Sequence, residues 1–205
     1  MQLNRVGANH GIWSLTPACL IVLRIALGPL LVWAVFRGAP EALVGGILGV
    51  AMLSDIFDGV IARRLKIATA RLRVADSWAD AWFFGCVGAS CWLAKGEVVR
   101  HYALPICLEL LLQGVSYTYD LVRYGRITSI HAYTAKAWGF SLYLATFSLL
   151  LFGVGSPIWL CFCFGLAAFI DGAAIKLILP GWRHDVPSMF HALRLRQAEL
   201  AAAGS

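Results

Sequence analysis

The sequence predicts an all-α integral membrane protein with six transmembrane helices and short interfacial helices at both termini. Of its 205 residues, 60% are hydrophobic and only 14% are charged, so the chain lacks the polar side chains that cover a soluble domain. The apolar residues fall in six stretches, each close to the roughly 20 residues that cross a hydrocarbon core about 30 Å thick. The Trp and Tyr content fits this class, because amphipathic rings collect at membrane interfaces.

The six predicted spans follow one another with short connections. They cover residues 18–36, 41–62, 75–94, 102–122, 134–153 and 156–179. The connections contain no Pro/Gly/Ser-rich linker and no repeat, so we predict a single membrane domain over residues 1–205 with a six-helix core at 17–180. The flanking segments 1–16 and 181–205 mix apolar and polar residues, and we expect them to lie on the membrane surface as interfacial segments.

The basic residues predict an orientation in the membrane. The formal net charge is +6, and most Lys and Arg fall in the connections after spans two and four and in the C-terminal tail. This distribution follows the positive-inside rule, which explains the charge better than binding to nucleic acid does. We therefore expect both termini on the cytoplasmic side of a membrane, which in a bacterium is the inner membrane.

Four carboxylates stand at the predicted cytoplasmic ends of spans two and three. Asp55 and Asp58 are three residues apart, and Asp76 and Asp80 are four apart, so each pair shares one face of its helix. A short connection makes the two spans antiparallel neighbours. We therefore expect the two pairs to face each other.

The energetic cost of these acids predicts a ligand. An Asp at the centre of a membrane helix costs about 2.5–3.5 kcal/mol, and less near the interface. Four converging carboxylates also repel one another, and Arg63 nearby neutralises only part of their charge. Divalent cations prefer hard oxygen ligands, and Mg²⁺ typically combines a few carboxylates with substrate phosphates. The small residues Gly59 and Ala62 extend the Asp55 face, and either leave room for a ligand or allow close helix packing.

This segment resembles the motif of the CDP-alcohol phosphotransferase (CDP-alcohol phosphatidyltransferase) family, which reads D-x2-D-G-x2-A-R-x8-G-x3-D-x3-D. The matching residues are Asp55, Asp58, Gly59, Ala62, Arg63, Asp76 and Asp80. The one departure is Leu72, which stands at the second motif glycine, and Thr69 lies where members often carry Ser or Thr. Thr16-Pro17, Arg24 and Pro29 resemble the first-span signature of the family.

The resemblance implies an enzyme of phospholipid biosynthesis that transfers a phosphatidyl group from a CDP-linked donor to the hydroxyl of an alcohol, with release of CMP. Compact size and six spans resemble the bacterial members that use CDP-diacylglycerol. By the same resemblance, Asp55, Asp58 and Asp76 would hold two Mg²⁺ or Mn²⁺ ions, and Asp80 would complete the metal shell and act as general base. The donor nucleotide would contact Asp55, Asp58, Gly59, Ala62, Arg63 and Thr69. The family also implies a homodimer.

The alcohol acceptor is less defined. Arg123, Arg126, His131 and Lys136 can form a cationic pocket for a phosphorylated alcohol, or they can simply reflect positive-inside topology with a snorkelling lysine. Lys136 resembles the first lysine of a Gly-Lys-x-Lys-Thr segment in phosphatidylglycerophosphate synthases. The second lysine and the threonine are missing here, so glycerol 3-phosphate is not supported as the acceptor.

Two other functions stay open. A glycine at position 72 would let the nucleotide pass close to the backbone, and the Leu72 side chain fills that space, so the chain can be a catalytically weakened family member. A cation transporter is the other reading, although its acids would lie near the bilayer midplane rather than beside basic residues. Arg24, inside the first span, either reaches the cytoplasmic acids or snorkels to the interface. Asp171 and Lys176 in span six are expected to pair with groups on other helices.

Overall fold

The computed structural model describes residues 16–64, 70–125, 133–179 and 186–203, and the regular secondary structure in these ranges is entirely helical. The helices are α1 (Thr16–Phe36), α2 (Glu41–Arg64), α3 (Ala70–His101), α4 (Ala103–Tyr124), α5 (Tyr133–Phe152), α6 (Pro157–Ile178) and α7 (Met189–Ala203). The first six overlap the predicted spans, although α3 extends beyond the predicted range 75–94 at both ends, and α7 lies in the predicted C-terminal surface segment. The prediction of an all-α protein is confirmed for the described part of the chain.

Several helices are long and apolar enough to cross a membrane. Among the described residues, Ala18–Phe36, Tyr133–Phe152 and Pro157–Ile178 meet this test, and a fourth span is counted if Ala75–His101 and Ala103–Tyr124 are taken together. Large apolar side chains are exposed along these helices, as in a protein that faces lipid. These findings fit an all-α membrane protein. The count of six spans stays a prediction.

The chain forms two compact units. The first contains α1, α2, α3 as far as Glu97, and Leu149–Gly153, which covers the end of α5 and the residue after it. The second contains α4, most of α5, α6 and α7. In the first unit, α3 has non-helical backbone angles at Lys95, directly after the predicted end of the third span.

A tight turn joins α1 to α2 in the first unit. Gly38 adopts a left-handed conformation with φ of 65°, which glycine reaches without a steric penalty. The Gly38 N–H donates to the carbonyl of Val35 at 3.0 Å, and the Ala39 N–H donates to the carbonyl of Ala34 at 2.9 Å. This pair of bonds is a Schellman motif, which satisfies the last carbonyls of a helix. The chain then reverses, and α2 packs against α1.

Helices α1 and α3 approach each other closely at Gly28 and Pro29. A Cβ atom on Gly28 would lie 2.9 Å from Cys86 Sγ, so the absent side chain permits this approach. Pro29 has no N–H, which leaves the carbonyl of Ile25 without its usual partner one turn later. Trp82 Nε1 on α3 donates to that carbonyl at 3.1 Å. The two helices are therefore held together where α1 lacks a hydrogen bond.

The second unit is built around α6. Helix α4 packs against one part of α6, and α7 packs against another. The contact with α7 contains a small apolar cluster formed by Ile175, Leu179, Val186 and Ala192. Asp171 on α6 accepts a hydrogen bond from the N–H of Met189, the first residue of α7, at 2.8 Å. The C-terminal helix is thus fixed at its first turn by a carboxylate of α6.

Candidate active site

The acidic residues of α2 continue a buried stripe. Leu48, Ala51, Ser54 and Asp58 follow one another at intervals of three or four residues, and all four are buried. This spacing puts them on one face of the helix, so Asp58 lies on the face that packs inward. Asp55, one residue after Ser54, is half-buried beside it.

Helix α3 presents its acids in the same way. Phe83 and Val87 are almost completely buried. Counting back by three or four residues along this face gives Asp80 and Asp76. Both carboxylates are about one third exposed. In both helices, burial of the apolar residues fixes which face packs inward. The acids lie on this same face, so they point in the same direction as the core residues.

Arg24 of α1 lies at the centre of the four aspartates. Its buried face also includes Leu27 and Leu31. The Arg24 side chain has no solvent exposure, although it stands inside an apolar stretch. A charged side chain inside an apolar helix of a membrane protein is tolerated when it pairs with groups of opposite charge.

The guanidinium contacts every member of the acidic cluster. Arg24 Nη1 lies 3.0 Å from Asp76 Oδ1 and 3.2 Å from Asp55 Oδ1. The same nitrogen donates to Asp80 Oδ1, and Nη2 donates to Asp58 Oδ2. Four carboxylates against one guanidinium leave a formal charge of −3 (one minus four). The expectation that the two acidic pairs face each other is confirmed.

Three of the acids have a geometry that suits a metal ion. Asp55, Asp76 and Asp80 each offer a carboxylate oxygen, and these oxygens lie within 4.8 Å of one another. Oxygens on opposite sides of an octahedral Mg²⁺ lie about 4.2 Å apart, so a small contraction brings these ligands to a common ion. Asp58 is more deeply buried, with 5% of its side chain exposed. The cluster therefore has an accessible side and a buried side.

Comparison with known proteins identifies the family. The profile of the CDP-alcohol phosphatidyltransferase family matches residues 14–170, a range that includes α1 and both acidic pairs. The chain belongs to the CDP-alcohol phosphatidyltransferase family. The family resemblance inferred from the motif is confirmed, and the aspartates described above are the acidic positions of that motif.

A curated protein is also similar to the chain. It is the CDP-diacylglycerol–glycerol-3-phosphate 3-phosphatidyltransferase of Rickettsia bellii, which is 36% identical over 73 residues. The similar stretch covers 35% of this chain and 40% of the relative, so the chain matches less than half of the relative's length. No solved structure matches the chain.

The other predicted donor-site residues and part of the predicted acceptor pocket lie at helix ends or outside the described residues. Gly59, Ala62 and Arg63 belong to the end of α2, and Leu72 belongs to α3, where the description covers the backbone alone. Thr69 lies outside the described residues, as do Arg126 and His131 of the predicted acceptor pocket.

The two described residues of that pocket, Arg123 and Lys136, lie in the second unit. Arg123 is exposed in the last turn of α4. Lys136 is exposed near the start of α5, with Nζ 5.7 Å from the centre of the Tyr133 ring. A cation at this distance from an aromatic ring is weakly attracted to it. The acceptor role of both residues stays a prediction.

The sequence did not decide in which direction the Arg24 side chain points. Arg24 stands in an apolar stretch, where snorkelling and inward pairing are both compatible with the sequence. The structure has the inward arrangement, with contacts to all four aspartates. A buried charge needs partners. The four acids on neighbouring helices were the signal that could have favoured this arrangement.

Proposed function

We propose that the chain is a metal-dependent phosphatidyltransferase. It transfers the phosphatidyl group of a CDP-linked donor, CDP-diacylglycerol, to the hydroxyl group of an alcohol, and it releases CMP in phospholipid biosynthesis. The observation that carries this proposal is the convergence of four motif aspartates at one point of the first unit. The family and the named activity of the Rickettsia bellii relative support the same reaction.

In this proposal, Asp55, Asp58 and Asp76 hold two Mg²⁺ or Mn²⁺ ions. Carboxylate oxygens of Asp55, Asp76 and Asp80 lie within 4.8 Å of one another, which supports a metal-binding role for this cluster. When bound, the ions supply positive charge to the donor's pyrophosphate and to the CMP that leaves.

Asp80 acts in this proposal as the general base. About a third of its side chain is exposed, which supports access by an acceptor alcohol. A carboxylate oxygen of Asp80 takes the proton of the acceptor hydroxyl. The alcohol oxygen forms a bond to the phosphorus that carries diacylglycerol, and the bond from this phosphorus to the CMP oxygen breaks.

The donor nucleotide is proposed to contact Gly59, Ala62, Arg63 and Thr69, besides Asp55 and Asp58. The motif positions of these residues support the assignment. Small side chains at Gly59 and Ala62 let a ligand approach the helix backbone, and the guanidinium of Arg63 suits a phosphate because it donates paired hydrogen bonds. Leu72 replaces a motif glycine and leaves less room for the nucleotide. The alternative is therefore an enzyme with reduced turnover.

The acceptor is proposed to be a phosphorylated alcohol bound by Arg123, Arg126, His131 and Lys136. Exposure of Arg123 and Lys136 supports access to a ligand. The relative in Rickettsia bellii is named for glycerol 3-phosphate, whereas the segment around Lys136 lacks the second lysine and the threonine of such synthases. An acceptor panel that contains glycerol 3-phosphate and other phosphorylated alcohols separates these expectations.

We also propose that the protein works as a homodimer in a bacterial inner membrane. In this proposal the six apolar stretches are six spans, and the distribution of Lys and Arg supports both termini and the active site on the cytoplasmic side. The apolar helices and the bacterial relative support this location. The homodimer rests on the family resemblance.

The experiment is a transfer assay with purified protein in detergent micelles. CDP-diacylglycerol and Mn²⁺ are supplied with each alcohol of the panel, CMP is measured by chromatography, and the new lipid is identified by mass spectrometry. We expect CMP and one new lipid in equal amounts, with an acceptor added and not without it. Binding of CDP-diacylglycerol without CMP release for any acceptor would favour the weakened member. Mn²⁺ flux into protein-containing liposomes without CMP release would favour the transporter.

A further inference from the structure

Arg24 is placed where a divalent cation would also be drawn. Its Nη1 atom contacts Asp55, Asp76 and Asp80, and these are the same three residues whose oxygens can converge on a metal ion. The guanidinium lies about 3 Å from two of the oxygens that it contacts. A Mg²⁺ ion binds its oxygens at about 2.1 Å and carries twice the charge. A guanidinium and a metal ion cannot both occupy the centre of this group at these distances.

The burial of Arg24 strengthens this conflict. The side chain is fully buried, and its Nε atom has no hydrogen-bond partner among the described residues, so the four carboxylates provide the described contacts that stabilise its charge. Two unit charges about 4 Å apart in a partly buried setting interact far more strongly than they do in bulk water. Separating Arg24 from the carboxylates is therefore costly, and a divalent cation offsets this cost only for the carboxylates.

We propose that Arg24 is the internal counter-ion of the aspartate cluster and competes with divalent cations for the same carboxylates. The guanidinium stabilises the cluster before metal binding, and metal binding draws the carboxylates away from it. This inference rests on the proposed function, because it takes the aspartates to be metal ligands. By thermodynamic linkage, anything that strengthens the contacts of Arg24 weakens metal binding, and loss of these contacts strengthens it.

Competition predicts an outcome that a purely structural role does not. If Arg24 merely holds the helices in place, Arg24→Gln should loosen the acids and weaken metal binding. If Arg24 competes, Arg24→Gln should bind the metal more tightly, by about tenfold, because the opposing positive charge is gone. The same variant should have a lower thermal midpoint without metal and a larger rise in that midpoint when metal is added.

The experiment is a titration of purified protein in detergent micelles with Mn²⁺ alone, with no nucleotide or lipid substrate. Free Mn²⁺ is counted by electron paramagnetic resonance, and the thermal midpoint is measured in parallel. Arg37→Gln is the matched control, because Arg37 is an exposed arginine just beyond the C-terminal end of the same helix. We expect wild-type and Arg37→Gln proteins to give the same Mn²⁺ affinity, and Arg24→Gln to give the tighter one.

The possible outcomes separate this inference from the proposed function. Equal or weaker Mn²⁺ affinity in Arg24→Gln, while wild-type protein still releases CMP, overturns the competition alone. Tighter affinity with no CMP release from any acceptor supports the competition and overturns the proposed function. Failure of both the wild-type and the Arg24→Gln proteins to bind Mn²⁺ overturns the competition, and the CMP assay then decides on the proposed function separately. If Arg24→Gln does not fold without metal, it is purified with Mn²⁺, and failure of the ion to restore the fold also overturns the competition.

Discussion

Two groups of buried acids, one in each compact unit, differ in their balance of charge. In the first, four aspartates share the single guanidinium of Arg24. In the second, Asp120 pairs with Lys176 at 2.7 Å, and Lys176 Nζ also donates to Ser116 Oγ at 2.8 Å. A matched pair satisfies its own charges, whereas a cluster with surplus negative charge attracts further cations. The ratio of acids to cations thus distinguishes a structural contact from a candidate metal site.

The exposure of the two regions supports the same distinction. Asp120 and Lys176 have side-chain exposures of 1% and 8%, so the ion pair is closed to ligands. Asp55, Asp76 and Asp80 are each about a third exposed. Loss of one acid should therefore affect activity in the first unit and stability in the second.

The largest expected effect is on catalysis. Asp80→Asn removes the proposed base and one metal ligand, and we expect CMP release to fall by about 10²- to 10⁴-fold. Chromatographic measurement of CMP checks this, with Glu97→Gln as a control for loss of an exposed carboxylate on the same helix. An Asp80→Asn protein that keeps wild-type turnover would remove Asp80 from the reaction.

The second effect is on stability in the other unit. Asp120→Ala leaves Lys176 buried without its partner carboxylate, and we expect the free energy of unfolding to fall by about 3–5 kcal/mol. Replacing both residues, as Asp120→Leu with Lys176→Met, should recover much of the loss because no charge stays buried. Denaturant unfolding in micelles measures both variants. A double variant no more stable than Asp120→Ala would mean that the pair is not an isolated contact.

A smaller effect is expected where α1 and α3 approach each other. Gly28→Ala places a Cβ atom 2.9 Å from Cys86 Sγ, and overpacking of this kind costs about 1–3 kcal/mol. Adding Cys86→Ala removes the obstructing sulfur and should restore part of the stability. Thermal midpoints of the single and double variants check this. Equal destabilisation in both would show that another contact limits the space at Gly28.

The smallest effect concerns the hydrogen bond from Trp82 to the carbonyl of Ile25. Trp82→Phe should lower the free energy of unfolding by about 1 kcal/mol, the usual contribution of one hydrogen bond. In a Pro29→Ala background the helix can supply its own N–H to that carbonyl, so Trp82→Phe should then cost less. A double-mutant cycle measured by unfolding tests this, and an equal cost in both backgrounds would contradict it.

The sequence was sufficient to predict the features that depend on length and spacing. Apolar stretches of about 20 residues predicted the positions of α1 to α6, because a hydrocarbon core requires that length. The intervals within each acidic pair predicted that Asp55 and Asp58 share a face, as do Asp76 and Asp80. These expectations required no knowledge of which helices are neighbours.

The sequence was not sufficient where the rotation or the neighbours of a helix decide the contact. Helix α1 is apolar on all sides, so periodicity does not reveal which face packs inward, and Arg24 had two possible arrangements. Likewise, the sequence predicted that Lys176 would pair with a group on another helix, but the choice of Asp120 depends on the packing of α4 against α6.

The most direct test of the metal-dependent transfer is CMP release from CDP-diacylglycerol after the protein has been treated with a chelator and then titrated with Mn²⁺. We predict no CMP above background in the chelator and recovery to a saturating rate as Mn²⁺ is added. Asp76→Asn should require a much higher Mn²⁺ concentration to reach half of its maximal rate. A rate that is unchanged by the chelator would contradict the proposed role of the four aspartates.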